Sequence, residues 1–108
     1  MANDFKNAQA VGVTSVTTIY TAPAAKTSIL LELDIANTTA NVVEANVEIF
    51  DTSASTDAFL VKNAPVPAGG TLQVVAGQKI ILEATDIVKV TSTGAVDVVA
   101  AILEDVNS

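Results

Sequence analysis

Twice between residues 27 and 50 the chain alternates aliphatic and polar side chains with a period of two. In "TSILLELDIAN" (27–37) Ile29, Leu31, Leu33 and Ile35 share one face, and Ser28, Leu30, Glu32 and Asp34 the other. In "VVEANVEIF" (42–50) Val43, Ala45, Val47 and Ile49 face inward, while Glu44, Asn46 and Glu48 face out. This is the period of a half-buried β-strand, and no window of helical period survives elsewhere.

The rest of the chain repeats the message. "VGVTSVTTIYT" (11–21) is rich in β-branched residues, which favour a pleated surface. "APAAK" breaks it, "TTAN" turns, "DTSASTD" (51–57) is a polar loop and "AFLVK" a short strand. Pro65 and Pro67 end that strand, because proline cannot donate to a ladder. Gly69 and Gly70 then let the chain reverse. Leu72, Val74 and Ala76 resume alternation, Gly77-Gln78 makes a tight connection, and "KIILE" pairs back as a hairpin. "IVKVTS" and "VDVVAAILE" complete the set. The last is apolar on both faces, which places it in the middle of a sheet or beneath a neighbouring subunit.

Short strands at regular spacing predict an all-β chain. The expected fold is one antiparallel β-sandwich domain, jelly-roll or immunoglobulin-like, with about eight to nine strands over residues 11–108. Residues 1–10 are polar and without period, and read as an N-terminal arm.

Composition narrows the chemistry. The 108 residues include no Cys, His, Trp or Arg. That removes thiol chemistry, zinc–thiolate sites, the usual general base and bidentate grips on phosphate. The net charge of −7, with five scattered lysines, disfavours nucleic acid and anionic membranes as partners. "MANDFKNAQA" has no signal-peptide character, and the longest apolar run, Val98–Leu103, is far short of a membrane span. Asn37-Thr38-Thr39 is a formal glycosylation sequon, read as chance in that context.

Three constellations come closest to a site. Glu32 and Asp34 lie two apart on one strand face, roughly 6.6 Å between Cα atoms, a spacing that suits paired acid–base carboxylates. Asp51 and Asp57 bracket small hydroxyl residues as a weak calcium loop would, but without the glycine and the distal glutamate of a strong one. Ser and Thr are plentiful but none stands with a His or Lys in a nucleophile arrangement. The four aromatic residues, Phe5, Tyr20, Phe50 and Phe59, are scattered, with Phe59 read as core, which leaves a carbohydrate-binding module as a remote alternative. No enzyme activity, cofactor or resident metal is expected.

"IYTAPAAKTSILLELDIANTTANVVEANVEIFD", "FLVKNAPVPAGGTLQVVAGQKIILEATDIVKVTST" and "VDVVAAILE" together resemble small virion proteins of tailed bacteriophages. In these an "APAGK"-like turn leads into a long aliphatic strand, and a "PVPAGG"-like corner precedes a hairpin and an "L.A.D.I.V" strand. The resemblance implies a sandwich or jelly-roll component of the virion, made in the host cytoplasm. Capsid decoration (cement) proteins on the shell exterior lead, followed by tail, neck or fibre-associated proteins. It further implies the major capsid protein as partner and a homo-oligomer, a trimer of roughly 33 kDa. It supplies no site residues. The polarity of the arm makes Asn3, Asp4, Phe5, Lys6 and Asn7 the expected partner contacts.

Overall fold

The computed structural model describes residues 4–104. It contains eight strands: β1 (Asp4–Val13), β2 (Thr17–Thr21), β3 (Ser28–Asn37), β4 (Val43–Asp51), β5 (Thr56–Val66), β6 (Thr71–Leu82), β7 (Ile87–Ser92) and β8 (Val96–Glu104). They form two four-stranded antiparallel sheets, β1-β8-β3-β6 and β2-β7-β4-β5. Apart from the β4–β5 hairpin, every connection crosses from one sheet to the other. That strand order and alternation make the sandwich a jelly roll, and they set aside the immunoglobulin-like alternative.

The inner faces supply the core. Leu33, Ile35, Val47, Val66, Val75, Val88, Val90, Val98 and Ile102 are all but inaccessible to solvent. They come from both sheets and interdigitate as sandwich cores do. β8 lies between β1 and β3, so its apolar character on both faces fits an interior strand.

The corner at residues 67–70 is a hydrogen-bonded turn. The Gly70 amide donates to the Pro67 carbonyl at 2.9 Å, and Gly69 has φ +72°, which glycine adopts without strain. Buried Asn37, at the end of β3, holds this corner in place. Its side-chain amide donates to the carbonyls of Val66 (3.0 Å) and Asn41 (2.7 Å), and its Oδ1 accepts from Thr39. Asn37 is buried with both amide hydrogens bonded, so a glycan on it is incompatible with this fold.

Four sequence expectations about where strands begin and end are corrected. From Asp4 onward the supposed arm is strand β1, paired with β8 from Asp4↔Glu104 to Ala10↔Val98. Polar side chains on an edge strand carry little periodic signal, because solvent reaches them on two sides. Residues 11–21 are two strands, split at residues 14–16 where the chain changes sheets. β5 runs through Pro65, which an edge strand tolerates because its outer amides have no ladder partner. Residues 71–82 form one strand, not a hairpin. Gly77 (φ +96°) and Lys79 (φ +64°) bulge out opposite Leu31, and pairing with β3 resumes at Ile80↔Leu30.

The bulge also resets β3. Leu31 is an extra residue against β8, since Leu30 pairs with Ile102 and Glu32 with Ala101. Ser28 and Leu30 therefore face inward before it, and Leu33 and Ile35 face inward after it. Ile29, Leu31, Leu33 and Ile35 therefore do not share one face along the whole strand as expected: Leu33 and Ile35 face the core, while Ile29 lies on the other face.

Candidate functional site

The outer face of the β1-β8-β3-β6 sheet carries a row of large apolar side chains. Phe5 pairs with Leu103, Leu103 with Ile29, and Ile29 with Ile81, so each strand contributes one residue. Their sequence neighbours Leu30, Leu82 and Ile102 point into the core, which turns this row outward. Phe5 is 77% exposed and Ile81 56%, while Ile29 and Leu103 are half-buried. Two registers further along the face, Val99 stands exposed between Gln9 and Asp34.

Glu32 and Asp34 lie on this same outward face, beside the apolar row. Burial, followed by the hydrogen bond and negative charge of Glu32, pushes the Asp34 carboxyl up to about 6. Its Oδ1 is buried without a hydrogen-bond partner among the described residues. The two groups thus form a proton-sharing pair on an open sheet. They do not line the depression described next, as a glycosidase pair would need to.

Asp51 and Asp57 stand in adjacent registers of the β4–β5 hairpin but on opposite faces of the sheet. Asp57 meets Glu48, and hydrogen bonding to it, together with burial, raises the Glu48 carboxyl. Asp51 instead joins Glu83 and Asp86, with carboxylate oxygens within 4.8 Å of one another. They border a depression of about 430 Å³ whose other walls are Ile49, Thr56, Ala58 and Ile81. Two of these carboxylates hold loops. Asp51 Oδ1 accepts from the Ser53 hydroxyl and the amides of Ser53 and Ala54, which lowers its pKa. Buried Asp86 accepts from the amides of Glu83 (2.9 Å) and Thr52 (3.3 Å). The grouping joins residues more than 30 positions apart. "ATD" in the sequence signals only a turn, so nothing local announces it.

Of the expected contact residues, Asn3 lies outside the described residues. Asp4, Phe5, Lys6 and Asn7 are all on β1. Phe5 and Asn7 face outward with the apolar row. Lys6 is engaged internally: its Nζ lies 3.0 Å from Glu104 Oε1. The Tyr20 hydroxyl donates to Glu104 Oε2 at 2.5 Å and lies 3.0 Å from Ser28 Oγ. This network joins β1, β3 and β8 of one sheet to β2 of the other. Burial, then the Glu104 contact, pushes Tyr20 up to about 12, and the hydrogen bonds from Tyr20 and Lys6 lower Glu104. Its members come from three well-separated stretches of the sequence, and only pairing with β8 brings Lys6 to Glu104.

On the outer face of the second sheet, Lys62 sits 4.3 Å from the centre of the Phe59 ring and Lys89 4.9 Å from that of Phe50. Phe59 is 45% exposed, so it is a covered surface ring and not core. Cation–π contact of this kind occupies the ring faces that sugar stacking would need.

Comparison with protein-family models, with curated proteins and with solved structures gives no match.

Proposed function

We propose that this chain is a non-enzymatic structural protein of a virion. In this reading it is a capsid decoration subunit that binds the outside of a phage shell and bridges neighbouring copies of the major capsid protein. The observation that carries the proposal is the row Phe5–Leu103–Ile29–Ile81 on the outer face of the β1-β8-β3-β6 sheet. A contiguous apolar row facing solvent costs solubility and marks a surface made to be covered by protein. The jelly roll agrees with the resemblance to phage virion proteins, but the fold hosts unrelated functions, so the argument rests on the face.

The mechanism is binding linkage. A subunit that recognises the assembled shell stabilises it by its own binding free energy. A face that touches two capsomers at once adds the benefit of multivalency. The polar network at Glu104 keeps β1, and with it Phe5, fixed to the sheet, so little ordering cost remains at binding.

Mass spectrometry of purified virions, with copies counted against the major capsid protein, tests the proposal. A copy number comparable to that of the capsid protein supports decoration, and a ring-like stoichiometry moves the assignment to tail or neck. Rebinding to stripped shells is the second arm, with Ile81→Lys expected to abolish retention while melting stays near wild type. Absence from virions, or unchanged retention of Ile81→Lys, refutes the proposal. Deleting the N-terminal residues would not test it, because that removes β1 and uncovers β8.

A further inference from the structure

Each sheet of a sandwich has two edges, and proteins blunt exposed edges with prolines, bulges, lysines or short strands. Three of the four edges here are blunted. β6 is broken by the bulge at 77–79, which carries Lys79. β5 contains Pro65 and two register shifts. β2 is five residues long and shifts once. β1 differs: from Asp4 to Ala10 it pairs with β8 without a shift, a proline or a positive φ. Between Asp4 and Ala10 its outer edge is a regular row of backbone donors and acceptors; its one bulge, at Gly12, lies at the strand's end, and its lysine, Lys6, is drawn to Glu104.

The side chains of β1 fit a copy of itself. Phe5 and Val11, 77% and 81% exposed, are the most exposed large apolar residues among those described, and both stand on this strand. In an antiparallel pair centred on Ala8 the facing positions sum to sixteen. Phe5 then faces Val11 of the second copy, and Val11 faces its Phe5. Asn7 faces Gln9, amide against amide, and Lys6 faces Ala10. Asp4 faces Gly12, the glycine of the terminal bulge. No like charges meet. The strand carries one acid and one base in a chain whose net charge is −7, so it is among the few neutral strips available for self-contact.

We infer that β1 is a homodimer interface, in which it pairs antiparallel with β1 of a second copy about a twofold axis at Ala8. The two sheets become one, ordered β6-β3-β8-β1-β1-β8-β3-β6. The apolar row extends across the axis, since Val11 of the second copy follows Phe5. The twofold uses each β1 once and the other edges are blunted, so the assembly closes as a dimer and does not grow into a fibre. The inference stands on the strand itself and does not require the virion reading. It differs from the threefold assembly implied by the resemblance.

Light scattering and sedimentation equilibrium on the wild-type chain test it. The expected mass is twice 11.0 kDa, about 22 kDa. Val11→Glu sets a carboxylate against each Phe5 and weakens dimerisation by about tenfold or more, because the contact occurs twice per dimer. The double variant F5K/V11E sets lysine against glutamate in this register only, and restores the dimer. Hydrogen exchange gives a readout without substitution: protection of β1 amides rises with protein concentration. A monomer at every concentration, a trimer, a dimer indifferent to Val11→Glu, or failure of F5K/V11E to restore it overturns the inference.

Discussion

Tyr20→Phe tests the polar network that ties the two sheets together. The substitution removes one hydroxyl and keeps the ring, so packing against the core is preserved. Glu104, 9% exposed, loses the donor to Oε2 and keeps the Lys6 ion pair on Oε1. A hydrogen bond to a charged group contributes about 1.5–3 kcal/mol, and the partial access of water at this sheet end favours about 2. For a domain of this size that lowers Tm by about 10 °C. The pH dependence distinguishes this cause from a packing defect. Hydrogen bonds hold the Glu104 carboxyl below its ordinary 4.5, so their stabilisation is complete above that value. It is lost as pH falls through the folded-state pKa, and the gap between the two proteins narrows in acid. At the other end, Tyr20 is raised from 10.0 to about 12, so its protonated form is favoured in the fold. Wild-type stability from this group therefore persists to about pH 10 and drains between 10 and 12, a loss the variant does not show. Urea titrations of both proteins from pH 3 to 11 measure this directly. A difference below about 0.5 kcal/mol at pH 7, or a larger one that does not change with pH, refutes the network as a stabilising element.

Two other substitutions probe the fold. Asp34→Asn removes a carboxyl whose pKa is raised from 3.8 to about 6, so the folded wild type gains stability as pH falls through 6 towards 4. The variant abolishes that slope and is more stable at pH 7 by about 1 kcal/mol after solvent screening, as chemical denaturation at the two pH values will show. Gly94→Ala places a Cβ 2.5 Å from Val43 Cγ1 between the β7–β8 loop and the start of β4. Overpacking there costs about 1–3 kcal/mol, measured as a fall in the denaturation midpoint at unchanged slope.

The sequence could be read well where structure is local. The alternation in 42–50 identifies the inward set of β4, the corner at 67–70 follows from proline and glycine, and the apolar run 96–104 belongs inside a sheet. It was misread wherever a bulge intervened. Leu31 cannot be recognised as an extra residue from β3 alone, because the excess exists only relative to β8. Gly77 resembles a hairpin glycine until β3 is seen pairing on both sides of it. The arm failed for a different reason: β1 is polar because its edge and one face meet water, and polarity without period is also how a loose terminus looks.

The amino-acid order by itself determined that the chain is all-β, that a sandwich would hold its aliphatic residues, and that the chemistry of Cys, His and Arg is excluded. These follow from a period of two and from which side chains are present. Only the tertiary structure decided the jelly-roll order, the meeting of Phe5, Leu103, Ile29 and Ile81, and the joining of Tyr20, Lys6 and Glu104. Strand register is a property of pairs. Whether Phe5 stands beside residue 103 depends on how both strands pack over one core, and no local preference in either segment contains that choice.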